Sequence, residues 1–228
     1  MRVVIMGGTS GIGLATATKL TAAGAEVIVT GRDPERLKAV GDRAAHAEQV
    51  DGTVEEEVTA FFERTGAFDH LVLAFSPGAV GLGPIREVSA EQLRTAFDGK
   101  VVSYLSAIRH AQVTGSITMV SAASARAAMP STTVLAAVNG AVERMVSPLA
   151  VELAPVRVNA VSPGVIDTAW WTFLPADQRS EQFAQFGAQL PAGRVGRADE
   201  VADAIAYLIG AEFVTSTVLP VDGGASIA

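Results

Sequence analysis

The sequence predicts an α/β fold: a single domain on a doubly wound parallel sheet of about seven strands, with helices on both faces. Three observations predict it. Short runs rich in Val and Ile, bounded by Gly, Asp or Pro, alternate with longer stretches of helical periodicity. The first run passes straight into a glycine-rich turn and then a helix. Finally, 49% of the 228 residues are apolar against 18% charged, enough to cover a sheet on both sides.

In chain order, strands are expected at Arg2–Met6, Glu26–Thr30, His70–Phe75, Ser116–Ser121, Arg157–Val161 and Thr217–Val221, with a weaker one over Ala45–Val50. Helices are expected at Ile12–Ala23, Pro34–Val40, Val54–Thr65, Ala90–Gln112, Ser131–Leu153 and Ala198–Ile209. Right-handed crossovers between parallel strands then give the doubly wound arrangement. Pro148 sits inside a helical pattern and predicts a kink or break. No linker, repeat or low-complexity segment divides the chain, so residues 1–228 read as one domain. Residues 169–192 break the rhythm: Trp170–Pro191 reads WWTFLPADQRSEQFAQFGAQLP. This segment is either a pair of short amphipathic helices covering core or a substrate lid at the carboxyl ends of the strands.

Composition excludes several functions. Seventeen Lys and Arg against 24 Asp and Glu leave a net charge of −7, which argues against nucleic-acid and basic membrane-surface partners. The absence of cysteine rules out a disulfide scaffold, a thiol nucleophile and Cys-ligated metal. His46, His70 and His110 are scattered, so no metal site is expected. The N-terminus lacks a signal-peptide pattern. No apolar stretch of about 18 residues is free of Gly, Pro or charge. A cytoplasmic protein is expected, and its modest charge points to an apolar interface between copies.

The turn after the first strand reads Gly7-Gly8-Thr9-Ser10-Gly11-Ile12-Gly13. Glycines allow a tight turn and close approach of backbone to an anion, and the helix that follows offers free N–H groups and a partial positive charge. The residues marked for phosphate binding are Gly7, Thr9, Ser10, Gly11, Ile12 and Gly13. At the end of the second strand, where a carboxylate would accept from a ribose 2′-hydroxyl, stands Gly31, followed by Arg32. A guanidinium there suits a 2′-phosphate, so NADP(H) is the expected cofactor. Asp33 lies close by and weakens that reading slightly.

The spacing of these glycines resembles the short-chain dehydrogenase/reductase family, and the resemblance continues along the chain. Leu149–Leu153, Val158-Asn159-Ala160-Val161-Ser162-Pro163-Gly164, Gly193–Arg197 and Val221-Asp222-Gly223-Gly224 all look like family segments, in order. The resemblance implies a Rossmann-type fold and an oxidoreductase. It places Pro163, Gly164, Ile166 and Thr168 at the nicotinamide. Asp51 falls at the family's adenine-contacting acid, and it also reads as a helix-start residue before Thr53. Relatives pair their long helices, which implies a homo-oligomer, dimer or tetramer.

Family members usually carry Ser, Tyr-x3-Lys and an Asn on the preceding helix. No Tyr-x3-Lys exists here: Ile108 follows Tyr104 by four residues, and Ala211 follows Tyr207. Anchored on Leu149–Leu153, the Tyr position falls on Leu135, the Lys on Asn139, the Ser on Ala122 and the Asn on Lys100. A positioned general acid contributes roughly 10²–10⁴-fold, and Leu135 cannot supply one. Four residues are candidates for the missing work. Lys100, one of three lysines, can act as acid or oxyanion partner if partly desolvated, or is a solvated helix lysine. Ser121 and Ser76 can donate to a substrate oxygen or cap the turn that follows. Asn139 can bind ribose hydroxyls. The expected function is an atypical NADP(H)-dependent oxidoreductase of a small, hydrophobic organic substrate. Two alternatives stay open: an inactive NADP(H)-binding sensor or partner protein, and a non-redox enzyme (isomerase, dehydratase or cyclase).

Overall fold

The computed structural model describes residues 1–227. Seven parallel strands form one sheet: β1 (Arg2–Met6), β2 (Glu26–Gly31), β3 (His46–Gln49), β4 (Phe68–Leu73), β5 (Val113–Val120), β6 (Arg157–Pro163) and, at the far edge, β9 (Val218–Val221). Their order is β3-β2-β1-β4-β5-β6-β9, the doubly wound arrangement expected. β7 (Ile166–Asp167) and β8 (Gly196–Arg197) make a separate parallel pair that periodicity did not predict, each being too short to show a pattern.

The helices are α1 (Gly11–Ala22), α2 (Pro34–Lys38), α3 (Glu55–Thr65), α4 (Ala90–Phe97), α5 (Ser103–His110), α6 (Thr133–Glu152), α7 (Ala176–Gln189) and α8 (Ala198–Gly210). Alternation along each strand sends side chains to two cores. In β1, Val4 and Met6 join Phe61 and Phe62 of α3, Tyr104 of α5 and Val142 and Val146 of α6. Val3 and Ile5 join Ala17 and Leu20 of α1 and Val201, Ile205 and Leu208 of α8. Burial on both faces explains why the inner strands read as apolar runs, while the edge strand β3, His46-Ala47-Glu48-Gln49 and largely exposed, does not.

Two helix expectations need correction. The single helix expected over Ala90–Gln112 is interrupted by a turn of π-helix at Asp98–Val102 that separates α4 from α5. Conversely, Pro148 breaks nothing: α6 runs through it to Glu152. By length and composition α6 could cross a bilayer. It carries Asn139, Glu143, Arg144 and Pro148, however, and its buried stripe Val134, Val138, Val142, Val146 and Leu149 faces the domain. Residues 169–192 form a 3₁₀ turn at Ala169–Phe173 followed by α7.

The sheet order reverses between β1 and β4, and there the strand ends diverge into a crevice, the position at which open α/β sheets bind ligands. The β1–α1 turn floors it. Gly7 has φ +83°, a conformation L side chains rarely adopt. Gly13 needs to be glycine for a different reason. A Cβ there would collide with the Gly7 carbonyl oxygen, so only glycine lets α1 start this close to the turn.

Candidate active site

The carboxyl ends of the strands open into a cleft of about 1890 Å³, ample for a dinucleotide and a second molecule. It collects nearly every residue singled out from the sequence. Gly7, Thr9, Ser10, Gly11, Ile12, Arg32, Asp51, Lys100, Ser121, Asn139, Pro163, Gly164, Ile166 and Thr168 all line it. Gly13 lies behind the wall, in the helix packing just described.

One end of the cleft suits phosphate. Ser10 stands at the N-cap of α1 in extended conformation, and its side chain makes no capping hydrogen bond. The first amides of the helix are therefore left for an external acceptor. At the end of β2, a Cβ on Gly31 would fall 2.6 Å from Thr9 Cγ2, which leaves no room for a carboxylate. Arg32 is exposed beside it, its guanidinium 3.9 Å from Asp51. Asp51 also accepts from the amide and hydroxyl of Thr53, at 2.9 and 2.7 Å, so both sequence readings of Asp51 describe it.

Sequence reasoning missed Arg36, which lines the same end. It lies in the first turn of α2, where the pair Arg32 and Arg36 was available as a signal. Asp33 between them caps α2, accepting from the amides of Glu35 and Arg36, so its charge is directed into that helix.

The other end holds a buried polar cluster. Lys100, in the π turn, donates from Nζ to Asn139 Oδ1 at 2.6 Å. No carboxylate lies within ion-pair distance of it among the described residues. Burial lowers its pKa from the ordinary 10.5 to about 7, with Glu143 opposing that shift. Asn139 donates in turn to Ser124 Oγ at 3.2 Å and to the Leu135 carbonyl at 2.9 Å. Its amide is thus engaged on both sides, and contact with a ribose would have to displace one of these bonds.

Ser121 donates to Glu143 Oε1 at 2.8 Å, so a role as donor to substrate requires that bond to break. Tyr104 is not placed to act as an acid. It is fully buried, its hydroxyl faces the carbonyls of Leu73, Phe75 and Val120, and burial pushes its phenol far above the usual range. Leu135 lines the cleft at the position the resemblance gives to tyrosine. Glu143 and Ser124 were not anticipated; the spacing of Asn139 and Glu143, four apart on a largely apolar helix, was the available sign.

Trp170, Trp171, Phe173 and Phe186 also line the cleft. Trp170 meets Trp171 edge-on at 4.7 Å, and Trp171 Nε1 donates to the Ile166 carbonyl at 3.0 Å.

A parallel sheet with a glycine turn at its switch point and a cleft of this size defines a dinucleotide-type α/β protein. Residues 7–226 match the family model described as enoyl-(acyl carrier protein) reductase. Cis-4-hydroxycyclohexanecarboxylate dehydrogenase of Sinomonas cyclohexanicum is 35% identical over 97% of this chain and 94% of its own. An uncharacterized oxidoreductase of Methylorubrum extorquens is 34% identical over 97% and 96%. A solved structure described as a small-chain dehydrogenase in complex with NADPH superposes with a TM-score of 0.87 at 34% identity, covering 100% of this chain and 99% of that one. The chain belongs to the short-chain dehydrogenase/reductase family of oxidoreductases.

Proposed function

We propose that this is an atypical NADP(H)-dependent oxidoreductase acting on a small, hydrophobic organic substrate, in which Lys100 Nζ replaces tyrosine as the proton donor. One observation carries the reading. Lys100 is a cleft-lining ammonium or amine without an ion-pair partner among the described residues, 2.6 Å from Asn139 Oδ1, on a site where Leu135 offers no acid. In the family pattern the amide is expected at position 100 and the ammonium at 139. This chain exchanges them and keeps the pair in contact, which favours a rebuilt site over a decayed one.

The residues present fit the cofactor. The Gly7 to Gly13 turn and the free amides of α1 suit the pyrophosphate, and Arg32 and Arg36 suit the 2′-phosphate. Pro163, Gly164, Ile166 and Thr168 line the cleft where the resemblance expects the nicotinamide. Bound there, NADP(H) would supply or take up a hydride. Lys100 Nζ then gives a proton to the substrate oxygen or carbon in reduction and recovers one in oxidation. Residues 169–192 form a lid whose aromatic face excludes water and favours an apolar substrate. The Sinomonas relative is named for a small alicyclic hydroxy acid, whose ring suits such a face while its carboxylate calls for a polar partner.

A second reading, an NADP(H)-binding protein without turnover, is favoured by Leu135 alone. Calorimetric titration with NADPH and NADH, followed by an acceptor screen at 340 nm, separates the readings. Tight NADPH binding, weak NADH binding and consumption of NADPH with an acceptor are expected. Binding without consumption supports the sensor, or a non-redox enzyme if product forms, and no binding of either nucleotide overturns the proposal.

The chain is also proposed to form a dimer or tetramer through its long helices. Val102, Leu105 and Val151 stand exposed on the π turn, α5 and α6. Light scattering should give an integral multiple of 23.5 kDa, and a monomer refutes the assembly.

A further inference from the structure

Glu143 lies one helical turn beyond Asn139 on α6, with its side chain 13% exposed. Its carboxylate gathers donors from three places. Ser121 Oγ at the end of β5 is 2.8 Å from Oε1, and Ser162 Oγ in β6 is 2.7 Å from it. The Arg126 guanidinium closes the group, with Nε 3.1 Å from Oε2 and Nη2 3.3 Å from Oε1. A carboxylate this removed from water is stable only when its oxygens are so satisfied.

The network has a direction. Arg126 ends the short turn that carries Ser124, and Ser124 accepts from Asn139. The same loop continues through Ala127 and Met129 along the cleft wall. One carboxylate thus ties α6, the ends of β5 and β6, and the loop of the cleft into a single piece.

Charge is its second consequence. Side chains four apart on a helix are neighbours, so Glu143 stands beside the residue that holds Lys100. The charged or titratable groups around Lys100 are Asp98 in its own turn, Tyr104 on α5 with its ring centre 6.0 Å from Nζ, Glu143 on α6, and Arg126 from the loop after β5. Of these, Glu143 is the one whose charge favours the ammonium, and Arg126, paired with it, offsets part of that charge.

We propose that Glu143 is the positioning residue of this site, fixing the loop that carries Ser124 against Asn139 of α6 and serving as the counter-charge of the Lys100 ammonium. The proposal rests on Lys100 as proton donor, but its test needs no turnover. The chain has three lysines, so protein labelled with ¹³C at the lysine ε-carbon gives three resonances, and Lys100→Met assigns the one of interest. Lys19 and Lys38 pair with Asp203 and Glu35 on the surface and serve as references.

Glu143→Gln keeps an oxygen for the two serines and removes the charge. Arg126→Gln removes the opposing charge. The Lys100 midpoint, near pH 7 in the parent protein, is expected to fall by about one pH unit in the first variant and to rise in the second. A merely structural Glu143 would lower Tm and leave the midpoint in place. A stationary midpoint in folded E143Q, or movement of both variants in the same direction, overturns the proposal. If E143Q does not fold, absence of a rise in R126Q does so. Opposite shifts in a protein that binds neither nucleotide would sustain Glu143 and sink the reductase reading.

Discussion

Replacing Lys100 by methionine is expected to lower turnover by about 10²–10⁴-fold at pH 7 while leaving NADPH affinity nearly unchanged. Methionine fills the same buried space and removes the charge, the proton and the hydrogen bond to Asn139 Oδ1. Unchanged NADPH affinity shows that Asn139 and the cleft stay in place, so a fall in kcat with little change in KM for the nucleotide reports chemistry.

The pH dependence fixes the sign. The donor is the protonated form, and burial has brought the Lys100 pKa to about 7. Reduction should slow as pH rises through about 7, and oxidation of the alcohol should quicken over the same range. Lys100→Arg sharpens the test, because a guanidinium keeps the charge but does not release its proton at neutral pH. It should be as inactive as methionine if proton transfer is the role, and partly active if only charge matters. Unchanged turnover in Lys100→Met removes Lys100 from the mechanism.

The same shift predicts a stability signature. Between pH 7 and the ordinary lysine value of 10.5, the unfolded chain holds a proton that the folded chain has released, so stability rises with pH across that window. Lys100→Met should flatten the slope. Denaturant melts at pH 6 and pH 9 measure this in the absence of any substrate.

The positions of the inner strands were legible because burial on both sheet faces writes itself as runs rich in Val and Ile, and the exposed edge strand β3 was correspondingly faint. The glycine turn was legible because a strand, a turn and a helix in that order leave few other uses for the glycines. What escaped was geometry that adds or removes single residues. The π turn at Asp98–Val102 inserts one residue into a helical register, and periodicity averages over it. Yet Gly99 was a local sign, a poor helix former placed where a Cβ would press 2.9 Å from Pro77. That turn presents the buried Lys100 to Asn139. Glu143 escaped for a related reason: a carboxylate on a helix reads as a solvated face until tertiary structure brings Ser121, Ser162 and Arg126 to it.

Removing both Arg32 and Arg36, as R32Q/R36Q, is expected to weaken NADPH binding by about 10²-fold or more while changing NADH binding little. The estimate follows from hydrogen bonds to charged groups being worth about 1.5–3 kcal/mol each, roughly tenfold or more apiece. Two features make this end of the cleft selective. Gly31 abuts Thr9, so the carboxylate that would receive an unphosphorylated ribose has no place to stand. Asp33, the nearest candidate substitute, is engaged with the first amides of α2. Both arginines are largely exposed, with their carboxylate partners at 3.9 and 3.4 Å, loose enough to turn toward a phosphate. Because the interaction is exposed, salt should screen it, and the advantage of NADPH over NADH should shrink between 0.05 and 0.5 M salt in the parent protein but not in the double variant. Titration calorimetry reads both effects. Retention of the NADPH preference in R32Q/R36Q would show that the 2′-phosphate is held elsewhere, and preference for NADH in the parent protein would overturn the arginine reading while leaving Lys100 and Glu143 untouched.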